Sequence, residues 1–148
     1  EVRPLLTVHG VGPITAMAFI LTLEDPSRFE RSRDVGPFLG LVPAQRQSGD
    51  SDPELGITKA GDPYLRRLLV QCAHYIIGPF GQDSDLRRFG LRIIERSGST
   101  PRRDKPRTSP KKRAAIAVAR KLAVLLHRLW VTGEDWKAFH SDTAARAA

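Results

Sequence analysis

The sequence predicts an all-α fold: a helical domain with an N-terminal helix-hairpin-helix element, a long Ser/Gly loop and a C-terminal basic helix. Three observations carry this expectation. No stretch alternates apolar and polar residues as a half-buried strand does. Apolar residues instead recur at 3–4 spacing, as in Leu65, Leu68, Leu69, Cys72 and Ile76. The periodic segments also open on proline, at Gly12-Pro13, Asp62-Pro63 and Ser109-Pro110. Proline suits the first helical position, where its missing N–H would have no partner, and Asp and Ser cap helix starts.

Taken in order, Arg3 to Val8 is a short apolar segment running into His9-Gly10-Val11-Gly12-Pro13. A helix from Pro13 to about Leu23 is apolar almost all round, which predicts a central position. Glu24-Asp25-Pro26 ends it. A short helix is expected near Ser32 to Leu41, interrupted by Gly36-Pro37. Residues 42–61 are rich in Gly, Pro, Ser and Asp and read as a long loop with room for a short hairpin across Ser51, Asp52 and Pro53. Asp62 caps the next helix, whose buried stripe runs to Ile76 and leaves Arg66 and Arg67 off it. Another begins at Asp83 or Ser84 and runs to about Arg96 on Leu86, Phe89 and Ile93. The clearest helix spans Pro110 to Val131, with Ile116, Ala119, Ala123, Leu126 and Trp130 as its stripe and Gly133 as its stop. One helical domain over residues 1–141 is expected, with a basic, flexible linker at 97–110 inside it and a frayed tail at 142–148.

The 148 residues carry a net charge of +8, and the excess is localised. Residues 101–121 hold nine Lys and Arg against Asp104, while the remainder is neutral. Clustered cations in a Pro/Ser linker and helix start read as a footprint for nucleic-acid phosphates, or as a solvated charged linker. A single cysteine, Cys72, excludes a disulfide framework and a Cys-rich zinc site. His9, His74, His127 and His140 lack metal-motif spacing. The longest mostly apolar run, Val11 to Leu23, is about 13 residues, short of the roughly 20 that a membrane span needs. No basic-then-apolar leader is present. The chain begins at Glu1 rather than Met, so a piece of a longer protein is expected.

Three constellations can carry chemistry. The turn from Val8 to Pro13 is that of a helix-hairpin-helix: Gly10 and Gly12 let backbone approach a phosphate, and the N–H groups opening the next helix favour an anion. A tight interhelical turn is the plain alternative. In Gln47-Ser48-Gly49 a serine beside glycine can present its hydroxyl as a nucleophile on phosphorus. It would need a proton acceptor and positive charge for the transition state. Arg46, Lys59, Arg66 and Arg67 are near in sequence, although Ser-Gly in a loop is commonly a turn. The third is the basic block, with Lys111, Lys112, Arg113 and Lys121 on its helix. Cations at a helix start oppose its dipole, which points to a partner. Asp50, Asp52 and Glu54 cluster in the loop, but spacing assigns them no partner carboxylate.

The ordered set LLTVHGVGPITAMAF, Arg28-Phe29, FLGLVPAQRQSGDSDPELGITKAGDPYLRRLLVQCA and KKRAAIAVARKLAVLL resembles a known family. It is that of the C-terminal transposase domain of DEDD-type insertion-sequence transposases. These are serine-using recombinases related to the Piv DNA invertase, some of them guided by a bridge RNA. The resemblance covers roughly residues 4–131 and implies a DNA recombinase whose other, RuvC-like domain holds magnesium on four acidic residues. It places the catalytic serine on Ser48, forming a phosphoserine link to DNA. Lys59 and Arg66 fall on the family's basic positions, Thr58 and Gly61 on the same stretch, and Ala117 to Leu122 on the closing element. Gln47, the Asp52-Pro53-Glu54 stretch and Gly36-Pro37 depart from the family pattern. The implied partners are DNA, a guide RNA in some members, the RuvC-like domain and further copies of the full-length protein, with no membrane. The setting would be the cytoplasm of a bacterium or archaeon, and this chain by itself would be catalytically incomplete. The alternatives are a non-catalytic helix-hairpin-helix nucleic-acid-binding module, a decayed transposase remnant, or a helical interaction domain kept soluble by its basic block.

Overall fold

The structure is a computed structural model that describes residues 1–44, 56–98 and 109–140. Within these residues the chain is helical, and its only strand-like pairing is an isolated bridge. The helices are α1 (Arg3–Leu6), α2 (Pro13–Leu23), α3 (Val35–Phe38), α4 (Pro63–Ile77), α5 (Asp85–Gly98) and α6 (Pro110–Thr132). Single 3-10 turns lie at Pro26–Arg28 and Ser32–Asp34. The helix starts follow local chemistry. Asp62 accepts the Leu65 N–H at 2.8 Å, Ser84 accepts that of Arg87 at 3.1 Å, and Ser109 accepts that of Lys112 at 3.4 Å. Gly133 ends α6 in the left-handed conformation, its N–H on the Leu129 carbonyl.

Helix α6 is the axis of the domain. Ala114, Ala115, Val118, Ala119, Leu122, Ala123 and Leu126 are all fully buried, and α1, α3, α4, α5 and both 3-10 turns pack on it. Its small residues let neighbouring helices approach closely. The expectation that the Pro13–Leu23 helix is central is therefore corrected. Helix α2 sits at the edge, against α4 and α1, burying Thr15, Ala16, Phe19 and Leu23. Ile14 and Leu21 are 67% and 68% exposed and Met17 lies on the same outer face. An apolar composition all round does not say which side has a partner.

The expected helix from Ser32 to Leu41 is also shorter than its pattern suggested. It resolves into the second 3-10 turn and the four-residue α3, with Gly36-Pro37 inside α3 rather than breaking it. Pro37 is tolerated because it lies in the first turn, where no earlier carbonyl requires its N–H. Arg28 and Phe29 tie these pieces together. The Arg28 guanidinium donates to the Leu23 carbonyl at 2.9 Å and lies 5.5 Å from the Phe38 ring centroid. Phe29 meets Phe38 and the His127 ring edge-on at 5.1 and 5.6 Å. Buried His127 spans the ends of this segment, with Nδ1 2.9 Å from Ser32 Oγ and Nε2 2.8 Å from the Pro26 carbonyl. A carbonyl only accepts, so Nε2 carries the proton and Nδ1 accepts from the serine hydroxyl.

The linker expected at 97–110 is bounded by helix on both sides. Helix α5 continues to Gly98 and α6 has begun at Pro110, while residues 99–108 and the tail from 141 lie outside the described residues. No helix among the described residues is long and apolar enough to cross a membrane.

Candidate functional site

The long loop that follows α3 is closed at its base. Segments 40–44 and 56–59 run antiparallel, with the Ala44 N–H on the Gly56 carbonyl (2.9 Å), Thr58 on Val42 (3.0 Å) and Lys59 on Gly40 (3.1 Å). An isolated bridge joins Pro43 and Ile57. The anticipated hairpin thus has a paired base, while its proposed tip at Ser51–Pro53 lies outside the described residues. So do Arg46 and Ser48, between the two arms of this neck.

Glycine makes the neck possible. Gly40 has φ +73°, and a β-carbon on it would fall 2.7 Å from Lys59 Cα. One on Gly61 would fall 2.7 Å from Leu39 Cα. Both collisions are with backbone, which cannot swing away. Lys59 has φ +55°, a left-handed conformation that costs a non-glycine residue about 1–2 kcal/mol. Its N–H is thereby committed to Gly40 while its side chain stays exposed. Arg66, one turn into α4, donates Nη1 to the carbonyls of Leu39 (3.3 Å) and Gly61 (3.1 Å). It binds the two arms where they leave the helical body.

Beside the neck lies a groove of about 740 Å³, bounded by Pro37 and Val42 on one side, α5 and α6 below, and the segment after α6 on the other. Five cations line it: Arg33, Arg120, Lys121, Arg128 and Lys137. Among the described residues none of the five is in an ion pair. The single carboxylate, Asp85, is occupied in holding the wall, since its Oδ2 accepts the His140 N–H at 2.9 Å. The Asp85 N–H in turn reaches the Ala138 carbonyl at 2.8 Å, and the Trp136 N–H reaches Thr7 Oγ1 at 2.8 Å. The post-helical segment is therefore pinned at both α5 and the end of α1. The floor is apolar, with Phe89, Leu125 and Trp136. Lys121 Nζ lies 3.9 Å from the Phe89 ring centroid.

The sequence-predicted residues divide between these places. Lys59 and Arg66 meet at the neck and Lys121 lines the groove, whereas Arg67 is exposed on α4. Lys111 and Lys112 are exposed in the first turn of α6 and Arg113 is half-buried there. Gly10 has φ +98°, and a β-carbon would press on Ile76 Cγ1 at 3.0 Å and Tyr75 Cδ1 at 3.2 Å, so packing on α4 already requires glycine. Gly12 is exposed, with nothing near its β-carbon position, and leads into α2. Arg33, Arg128, Lys137, Phe89 and Trp136 were not anticipated as a group. Arg120, Lys121 and Arg128 have helical spacing that puts them on one side of α6, a signal present in the sequence. Arg33 and Lys137 come from other segments, and only the fold brings them in.

Among the described residues no three His, Cys, Asp or Glu side chains come together as candidate metal ligands. Burial pushes the Cys72 thiol up from its ordinary value, Thr15 opposing weakly, and the group lies away from the groove between α2 and α4.

Comparison with known proteins bears on this arrangement. The transposase IS116/IS110/IS902 family matches residues 2–86. The transposase for insertion sequence element IS1111A of Coxiella burnetii is 32% identical over 132 residues, covering 88% of this chain and 33% of that protein. The transposase for insertion sequence element IS1328 of Yersinia enterocolitica is 49% identical over 69 residues, 47% of this chain and 21% of that protein. A pilin gene-inverting protein of Moraxella lacunata is 30% identical over 122 residues, 82% of this chain and 34% of that protein. The chain spans at most about a third of the length of these relatives.

Proposed function

Because the chain belongs to the transposase IS116/IS110/IS902 family, we propose that it is the C-terminal domain of an insertion-sequence transposase that binds DNA and supplies Ser48 as nucleophile. The observation that carries this reading is the neck. Its two arms are paired, glycine-fitted and clamped by Arg66, so the points between which the chain carries Ser48 are fixed against the helical body, which supports a positioned nucleophile. In the proposed step Ser48 Oγ gives up its proton and bonds to the scissile phosphorus. The phosphorus–oxygen bond to one deoxyribose breaks, and that sugar leaves as a hydroxyl. Strand exchange reverses the step with a different sugar hydroxyl. Lys59 and the groove cations supply positive charge near the reacting phosphate.

Magnesium belongs in this reading to acidic residues of an RuvC-like domain elsewhere in the full-length protein. That protein would act as a homo-oligomer, with a guide RNA as a further partner. The Gly10–Gly12 turn and the Lys111, Lys112 and Arg113 cluster would hold DNA backbone without reading sequence. The test is Ser48→Ala in the full-length protein, assayed for a covalent protein–DNA adduct and for DNA binding. Loss of the adduct with binding retained is expected. An adduct that survives the substitution removes Ser48 from the reaction.

A further inference from the structure

We propose that the groove between α5, α6 and the post-helical segment is a binding site for a single-stranded stretch of nucleic acid, with phosphates on its cations and unpaired bases on its aromatic floor. The inference rests on the nucleic-acid reading above and assigns it a place that no comparison assigns. Arg33, Arg128 and Lys137 approach the groove from three different segments, and no ion pair among the described residues neutralises them. Such convergence suits a chain of phosphates.

The floor decides which kind of nucleic acid. A duplex presents its phosphates and keeps its bases stacked, so Leu125 and Trp136, beside the Phe89 ring that Lys121 already covers, would gain no base contact. A single strand has free base faces, and stacking them on aromatic side chains is favourable for any sequence. The volume of about 740 Å³ falls within the range of small-ligand sites, about 300–1,000 Å³, which suits a few unpaired nucleotides. The site also has a reason to be where it is. Val42 belongs both to the groove wall and to the neck of the Ser48 loop, so a strand in the groove runs past the base of that loop. The wall is preorganised, because Asp85 and Thr7 hold the segment bearing Trp136 and Lys137 without help from a ligand.

The test uses the two tryptophans. In the 148-residue chain carrying Trp130→Phe, Trp136 is the only tryptophan, and red-edge excitation selects it over Tyr64 and Tyr75. Oligo-dT and oligo-U of equal length are titrated in, with a duplex of the same length and poly-glutamate as comparison arms. Both single strands are expected to quench Trp136, and the duplex and poly-glutamate are not. Quenching by DNA only, or by RNA only, supports the site and names its source. In the chain with both tryptophans intact, Arg33→Ala, Arg128→Ala and Lys137→Ala together should weaken single-strand binding at least about tenfold. The salt dependence should fall by about two counterions, with thermal unfolding unchanged. Quenching by the duplex or by poly-glutamate equal to that by the single strands overturns the proposal, as does unaltered affinity in the folded triple variant. Because no arm involves Ser48, loss of this site leaves the serine assignment standing, and a failed Ser48 test leaves this one intact.

Discussion

The guanidinium of Arg66 donates to the carbonyl of Leu39, 27 residues earlier in the chain, at 3.3 Å. The same Nη1 reaches Gly61 at 3.1 Å, so one side chain on α4 spans both arms of the loop neck. Arg66 was anticipated from sequence as a nucleic-acid contact, and its observed bonds give it positioning work that needs no nucleic acid. Arg66→Ala should therefore raise hydrogen exchange at the Ala44, Thr58 and Lys59 amides in the free chain, by about thirtyfold if each of the two lost bonds is worth about 1 kcal/mol. Exchange unchanged in the free chain would assign Arg66 to ligand contact instead.

Lys59 separates backbone from charge. Its φ of +55° suits glycine better than lysine, so Lys59→Gly removes the ammonium and relieves strain together. Unfolding stability should hold within about 1 kcal/mol or rise, since glycine's added entropy when unfolded offsets the relief. Adduct formation by the full-length protein should fall. Lys59→Ala, which keeps the strain and also loses the charge, should match it in activity and lie below it in stability. Equal activity of wild type and Lys59→Gly would free the lysine from any electrostatic role.

His127 and Ser32 lie 95 residues apart in sequence and bond at 2.9 Å in the interior. Ser32→Ala removes the donor that Nδ1 accepts from and leaves a buried ring nitrogen without a partner. That costs about 1–3 kcal/mol in denaturant unfolding, more than a surface serine would. His127→Ala loses both bonds and the Phe29 ring contact and should cost more. A Ser32→Ala loss below about 0.5 kcal/mol would mean that the ring finds another donor.

What was legible in the sequence was local. Pro13, Pro63 and Pro110 mark helix starts because the cost of a missing N–H is set within one turn, and Asp62 and Ser109 cap as their side chains require. The central helix was not legible. Helix α2 is more apolar than α6, but α6 buries alanines, whose value lies in what packs against them. The neck was half visible: Gly40 and Gly61 stand out as residues, but their collision with Lys59 and Leu39 is a meeting of distant segments. For the groove, the localised charge pointed to the start of α6. That block already held Arg120 and Lys121, and the structure adds Arg128 on the same helix with Arg33 and Lys137 from elsewhere.

Acid should loosen one turn in a definite direction. The Arg88 guanidinium donates to Asp83 at 3.0 and 2.8 Å, and these hydrogen bonds hold the Asp83 carboxyl below its ordinary 3.8. Ser27 does the same for Asp25 through its hydroxyl and N–H. A carboxyl lowered on folding contributes stability above its unfolded value and loses that contribution as pH falls through the folded one. Wild type and Asp83→Asn should therefore differ in melting temperature at neutral pH and converge once pH drops below the folded value. Both groups are exposed, so added salt should shrink the difference. A gap that widens toward acid would reverse the assignment.

Cys72 reports on the seam between α2 and α4. Its sulfur lies 3.6 Å from Thr15 Oγ1, its residue is 7% exposed, and burial raises the thiol above its ordinary 9.0. The reactive form is the thiolate, which is scarce at mildly alkaline pH and shielded where it exists. Alkylation of the native chain should therefore run at least about a thousandfold slower than in the denatured chain, as expected for a domain stable by 5 kcal/mol or more. Thr15→Ala removes the side-chain hydrogen bond to the sulfur without opening the seam, so the rate should stay slow. Ala73→Leu would force α4 away from its neighbours and should speed labelling in parallel with lost stability. Labelling of the native chain at the denatured rate would show that α2 leaves α4 freely, and that the edge position of α2 is one of loose attachment.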